Sequence, residues 1–147
     1  MKKTPRFTCR FAFALLVAVS PLGLALPHAA YSQDQNEKGK VAIPDTVPAI
    51  WTEINKHQGE LTATIQAKKL ADVHHHAYAI RDLVAALPAK APADKKARVE
   101  GAAKNMAALA EKLDAAGDNN KQADAEAGLK QLDALLKQLK SQFPDAA

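Results

Sequence analysis

Hydrophobic residues recur at steps of three and four from position 48 to position 144, which is the period of an amphipathic helix. Prolines, asparagines and a glycine interrupt the pattern and divide it into four predicted helices. The predicted bounds are Pro48 to about Lys69, Asp72 (as N-cap) to Pro88, the 88–92 connection to Gly117 (as C-cap), and Asn119 or Asn120 to Pro144.

Each predicted helix has one apolar face. The residues expected in the core are Trp51, Ile54, Leu61, Ile65 and Leu70; Val73, His76, Ile80, Leu83 and Leu87; Val99, Ala102, Met106, Leu109 and Leu113; and Ala125, Leu129, Leu132, Leu136, Leu139 and Phe143. Four such helices with short turns cover their apolar faces against one another. The prediction is an all-α fold, an antiparallel up-down-up-down four-helix bundle over residues 47–144. The alternative is an extended helical hairpin that dimerises through the same residues.

The first 32 residues have the organisation of a secretory signal peptide. Four basic residues and no acid precede an apolar run over 11–26, and Ala30 and Ser32 are small residues at the two positions that a signal peptidase inspects. We expect cleavage before Gln33, a flexible leader over 33–46 and a periplasmic protein. An uncleaved anchor is the alternative, although the apolar run is short for a membrane span.

Loss of the signal peptide changes the charge and the thiol content. The whole chain has 20 Lys and Arg against 16 Asp and Glu, a net charge of +4, and four of the basic residues lie in the first ten positions. Residues 33–147 are therefore neutral overall, which gives no support to binding of nucleic acid or an anionic membrane. Cys9 leaves with the signal peptide, so the mature chain forms neither a disulfide nor a thiolate metal site.

Three consecutive histidines, His74, His75 and His76, lie in the first turn of predicted helix 2. The positive end of the helix dipole there disfavours protonation, and neutral imidazole binds Zn, Cu, Ni or Co. Consecutive helical residues point about 100° apart, so a site needs a ligand from another element. We expect His74 or His75 to join Asp118, with Asp72 nearby. The alternative is two exposed histidines and one core-facing histidine with a single hydrogen bond.

Two further residues are candidate cofactor ligands. His57 lies at the edge of the apolar face of helix 1, and counting from a turn at Leu70 places it about 10 Å from His76 along the bundle, too far to share an ion. Met106 faces inward and its thioether is a ligand for copper or haem, although its heptad spacing is also typical of a core methionine.

Sequence motifs of common enzymes are absent from the chain. It contains no His-Glu-x-x-His, Gly-x-Ser-x-Gly or Gly-rich phosphate-binding loop, and no Cys-x-x-Cys-His. The protein is therefore not expected to be an enzyme or a conventional c-type cytochrome.

The helix lengths and heptad pattern of residues 47–144, in segments such as 54–73 and 127–143, resemble the periplasmic four-helix bundles of the cytochrome b562 type. The resemblance implies a b-type haem held between a methionine early in helix 1 and a histidine near the end of helix 4. The corresponding positions here are near Asn55 and Lys140. His57 and Met106 are the residues left as haem ligands under this interpretation.

The stretch 51–88, with its Ile-Arg-Asp-Leu segment at 80–83, also resembles small exported proteins associated with bacterial heavy-metal efflux. This resemblance implies a periplasmic accessory protein that binds or senses a transition metal. The leading expectation is thus a non-enzymatic metal-binding bundle, monomeric or homodimeric, that meets an envelope efflux component. The alternatives are a b-type haem electron carrier and a cofactor-free module that docks an envelope protein.

Overall fold

The computed structural model describes residues 41–144, which form four α-helices and two short 3-10 turns. No strand occurs between Val41 and Pro144, so the all-α prediction is confirmed for this part of the chain. The predicted signal peptide and residues 33–40 of the predicted leader lie outside the described residues. The helices are α1 (Val47–Gln66), α2 (Val73–Ala85), α3 (Lys96–Asp118) and α4 (Gln122–Lys140), and the 3-10 turns span Leu70–Asp72 and Leu87–Lys90.

All four helices contribute to one hydrophobic core. Helix α1 packs against α2 and α4, and α3 packs against α2 and α4. No polar or charged residue is fully buried among residues 41–144, so apolar burial alone stabilises this core. The arrangement is compatible with a four-helix bundle. Of the predicted core residues, Ala102, Leu129 and His76 are only half-buried. The core also contains six residues that were not predicted: Ile50, Ala77, Ala79, Val84, Ala110 and Ala116.

Helix α1 has a side-chain cap at its start and a left-handed residue just beyond its end. The Thr46 hydroxyl accepts a hydrogen bond from the Ala49 amide at 3.4 Å, an interaction that contributes about 1 kcal/mol at a helix N-terminus. The backbone at Lys68 has φ 59°, which lets the Lys69 amide donate to the Thr64 carbonyl at 3.0 Å. This is a Schellman motif. It ends α1 at Gln66, three residues before the predicted end.

Helix α3 ends in the same way. Asn120 has φ 52°, and the Lys121 amide donates to the Ala116 carbonyl at 2.8 Å. The prediction that Asn119 or Asn120 opens α4 is wrong, because Asn120 completes the end of α3 and α4 begins at Gln122.

Gly117 lies inside α3 and is not its C-cap. A Cβ at this position would stand 2.6 Å from the Leu70 carbonyl oxygen, so the glycine permits close packing of α3 on the turn before α2. Asp72 precedes α2 as predicted, but its side chain makes no capping hydrogen bond. None of the helices in the described range combines the length and apolar character needed to cross a bilayer.

Candidate metal site

Three potential metal ligands from α1 and α2 meet at the protein surface. The Nδ1 atoms of His57 and His76 are 3.3 Å apart, and the Oε2 atom of Glu60 lies 3.3 Å from the first and 3.2 Å from the second. The three atoms thus form a nearly equilateral triangle. Within residues 41–144, no other group of three or more His, Cys, Asp or Glu side chains brings its potential ligand atoms so close together. We call it the His57 triad.

Buried neighbours fix the backbone on both sides of the triad. His57 and Glu60 are three residues apart on α1, a spacing that places two side chains side by side on a helix. Ile54 and Leu61, which flank them in sequence, are fully buried. Ala77, next to His76 on α2, is fully buried as well. The positions of the three ligands therefore depend on core packing, which varies little.

Local electrostatics favour the ligand form of His76. Partial burial lowers the pKa of His76 below its ordinary value of 6.5, and the nearby His57 and His75 lower it further. The carboxylates of Glu60 and Asp72 oppose this shift and only partly cancel it. The lowered pKa favours the neutral His76 imidazole, which is the form that metal coordination requires.

Chemically, the triad offers two imidazole nitrogens and one carboxylate oxygen. Such a set suits a divalent first-row ion, in particular Zn²⁺. The two imidazole rings lie with centroids 5.6 Å apart and planes tilted by 43°, so they approach through their nitrogen atoms and not by stacking. The side chains of His57 and His76 are 16% and 22% exposed and that of Glu60 is 43% exposed, so an ion can enter from solvent.

Of the five metal ligands predicted from the sequence, His76 belongs to the triad. His74 and His75 instead place their rings against each other, with centroids 3.9 Å apart, and His75 is exposed. Asp118 is exposed at the last position of α3, and Asp72 influences His76 through its charge. Glu60 was not predicted. The signal that could have identified it is the His57-x-x-Glu60 spacing on one helix.

The expectation that His57 and His76 are too distant to share an ion is wrong. That estimate placed the turn at Leu70 and assigned an α-helical rise to every residue. The turn lies earlier, at Ala67 and Lys68, and Leu70–Asp72 form a 3-10 segment. A 3-10 helix rises about 2.0 Å per residue and an α-helix about 1.5 Å. The chain therefore travels further back along α1 before α2 begins, and this brings His76 level with His57.

The candidate haem ligands do not form a comparable group. Met106 is completely buried among apolar core residues, where it packs as the heptad spacing indicates, whereas His57 belongs to the triad. Asn55 and Lys140, the positions that correspond to the ligands in cytochromes of the b562 type, are both exposed. Comparisons with protein-family models, characterised proteins and solved structures give no match.

Proposed function

We propose that this protein is an exported, non-enzymatic helical bundle that binds a divalent transition-metal ion through His57, Glu60 and His76 and acts in metal handling or efflux. The observation that carries the proposal is the approach of three ligand atoms from two helices to within 3.3 Å of one another. Two nitrogen donors and one oxygen donor suit Zn²⁺, Co²⁺, Ni²⁺ or Cu²⁺ better than the cuprous ion, which prefers sulfur.

Export to the periplasm is supported by the basic n-region, the apolar run and the small residues before Gln33. A site of nitrogen and oxygen ligands suits that oxidising compartment, because the site has no thiol that could be oxidised there. The resemblance of residues 51–88 to exported proteins of heavy-metal efflux supports an envelope efflux component as the partner.

An antiparallel bundle is the proposed arrangement of the four helices. It is supported by contacts at both ends of α1 and α4. Trp51, near the start of α1, meets Phe143, just beyond α4, edge to face at 6.5 Å between ring centroids. At the other end, the Gln122 side-chain amide at the start of α4 donates to the Ile65 carbonyl near the end of α1, at 2.9 Å.

The test is calorimetric titration of the untagged protein with Zn²⁺, Ni²⁺ and Cu²⁺. His76→Ala removes one triad ligand, and His75→Ala is the matched control because it removes an exposed neighbour of the same chemistry. We expect affinity to fall by about tenfold or more in His76→Ala, a loss of about 1.4 kcal/mol or more, and to change little in His75→Ala.

Three outcomes are distinguishable in this experiment. A loss of metal affinity in His76→Ala but not in His75→Ala supports the triad as the site. A greater loss of affinity in His75→Ala would overturn the triad assignment and place the site at His74 and His75. Equally weak heats from all three proteins would reject metal binding and favour a cofactor-free interaction module. Circular dichroism of each variant establishes that the loss of a binding signal in calorimetry is not caused by unfolding.

A further inference from the structure

Resting on the function proposed above, we infer that the His57 triad is shaped for a tetrahedral ion, Zn²⁺, and that the ion is exchangeable cargo and not part of the fold. Two separate observations carry this inference. The lengths of the triangle's edges point to the coordination geometry, and the composition of the core bears on whether the fold needs the ion.

The edge lengths agree with one face of a tetrahedron. Zinc binds histidine nitrogen and carboxylate oxygen at about 2.0–2.1 Å, so two ligand atoms of a tetrahedral site stand about 3.3–3.4 Å apart. The three edges of the triad measure 3.2, 3.3 and 3.3 Å. The separations of the three atoms therefore match those that a tetrahedral Zn²⁺ requires.

Other coordination geometries fit less well. Three ligands of a square-planar Cu²⁺ or Ni²⁺ site include one opposite pair about 4 Å apart and two neighbouring pairs about 2.8 Å apart, which is a distinctly unequal triangle. One face of an octahedron has equal edges of about 2.8–3.0 Å at bond lengths of about 2.0–2.1 Å. The observed triangle is equal-sided, which disfavours the planar arrangement, and its edges lie closer to the tetrahedral value.

The core has no need of the ion. Among residues 41–144, all of the buried apolar side chains except Ala79 form a single cluster, and no charged or polar residue is buried with them. The triad lies at the edge of this cluster, with Glu60 43% exposed. Structural zinc sites, by contrast, are closed by protein ligands and often supply the folding energy of the domain. An ion at the triad is thus held on a scaffold that is already folded and remains open to exchange.

The fourth ligand of a tetrahedral ion comes from beyond the triad. Water would occupy this position in the isolated protein, and a nitrogen or oxygen donor of an acceptor protein would displace it during transfer. An ion bound by three ligands and one water exchanges by stepwise replacement of ligands. The reaction is ligand substitution, so neither the ion nor the protein changes oxidation state.

Cobalt substitution tests the geometry directly. Co²⁺ absorbs visible light intensely in a tetrahedral site and weakly in an octahedral one. We expect the intense spectrum in the untagged protein and in His75→Ala, its loss in His76→Ala, and its removal by one equivalent of Zn²⁺. Competition titrations should give a dissociation constant for Zn²⁺ about tenfold or more below that for Ni²⁺, a difference of about 1.4 kcal/mol.

Thermal unfolding of the chelator-treated protein tests the cargo role. We expect the apo protein to keep its helical circular dichroism spectrum and to unfold cooperatively. Added Zn²⁺ should raise the midpoint of thermal unfolding only by the amount that follows from its affinity and concentration through binding to the native state. A pale octahedral Co²⁺ spectrum, or Ni²⁺ affinity equal to that for Zn²⁺, would overturn the tetrahedral assignment while leaving metal binding intact. Unfolding on metal removal would overturn the cargo role. Failure to bind any of the ions would instead reject the proposed function itself.

Discussion

Gly117 of α3 packs so closely against Leu70 that a Cβ at position 117 would lie 2.6 Å from the Leu70 carbonyl oxygen. Backbone atoms cannot yield as a flexible side chain can, so Gly117→Ala forces α3 away from the turn that precedes α2. Overpacking of this kind costs about 1–3 kcal/mol, against a gain of about 1 kcal/mol from replacing glycine in a helix. We expect the free energy of unfolding, measured in urea, to fall by up to about 2 kcal/mol.

Gly101→Ala is the matched control for Gly117→Ala. Gly101 lies in the same helix, is exposed, and has nothing within 4 Å of an added Cβ. At this position only the higher helix propensity of alanine has an effect, and it should raise the free energy of unfolding by about 0.5–1 kcal/mol. Stabilisation by both substitutions would contradict the close contact at Leu70.

Lys68 provides a second stability prediction, because its φ of 59° is unfavourable for a residue with a Cβ. The left-handed conformation costs such a residue about 1–2 kcal/mol, and glycine avoids this cost but loses about 0.5–1 kcal/mol of backbone entropy on folding. Lys68→Gly should therefore raise the free energy of unfolding by up to about 1.5 kcal/mol. Lys69→Gly removes the same charge at φ −88° and should give no gain. An equal change in both variants would assign the effect to charge.

These two turns explain why the sequence predicted the helices better than their ends. Apolar spacing is a local property, and it identified most of the large core side chains between Trp51 and Phe143, but only one of the buried alanines, Ala125. The ends depend on left-handed residues, and at Lys68 and Asn120 these are not glycines. Gly117, the one glycine near such an end, serves packing instead.

The site depends on these ends even more strongly. His76 was identified as a ligand because consecutive histidines are conspicuous in a helical sequence. Its neighbours in the triad lie on a different helix, and their approach to His76 depends on how far the chain travels through the 67–72 turn. A displacement of one helical residue is 1.5 Å, so a small error in the turn separates ligands that are 3.3 Å apart.

Tyr78 gives a prediction about pH. Its hydroxyl donates to Asp114 Oδ2 at 2.7 Å, and burial, followed by this hydrogen bond, raises its pKa from 10.0 to about 12. Because the folded-state pKa is the higher one, the stabilisation from the neutral phenol is fully present below pH 10 and is lost as the pH rises through about 12. In Asp114→Asn the pKa should fall yet stay above 10.0, because burial remains.

Phenolate absorbance measures this titration. The difference in absorbance between the protein and Tyr78→Phe isolates the phenolate of Tyr78, which is the one tyrosine of residues 33–147. A Tyr78 pKa in the unsubstituted protein equal to that in Asp114→Asn would show that the bond to Asp114 does not persist in solution.

The last prediction separates the charge of Glu60 from its position. Glu60→Asp keeps the carboxylate but withdraws it by one methylene, so its oxygen can no longer stand within 3.3 Å of both His57 and His76 without movement of α1. If the carboxylate is a metal ligand, Zn²⁺ affinity should fall by about tenfold or more, nearly as far as in Glu60→Gln. Glu53→Asp is the control, because Glu53 is also partly exposed on α1 and pairs instead with Lys56. Calorimetry that finds full affinity in Glu60→Asp but weak binding in Glu60→Gln would show that Glu60 attracts the ion by charge alone.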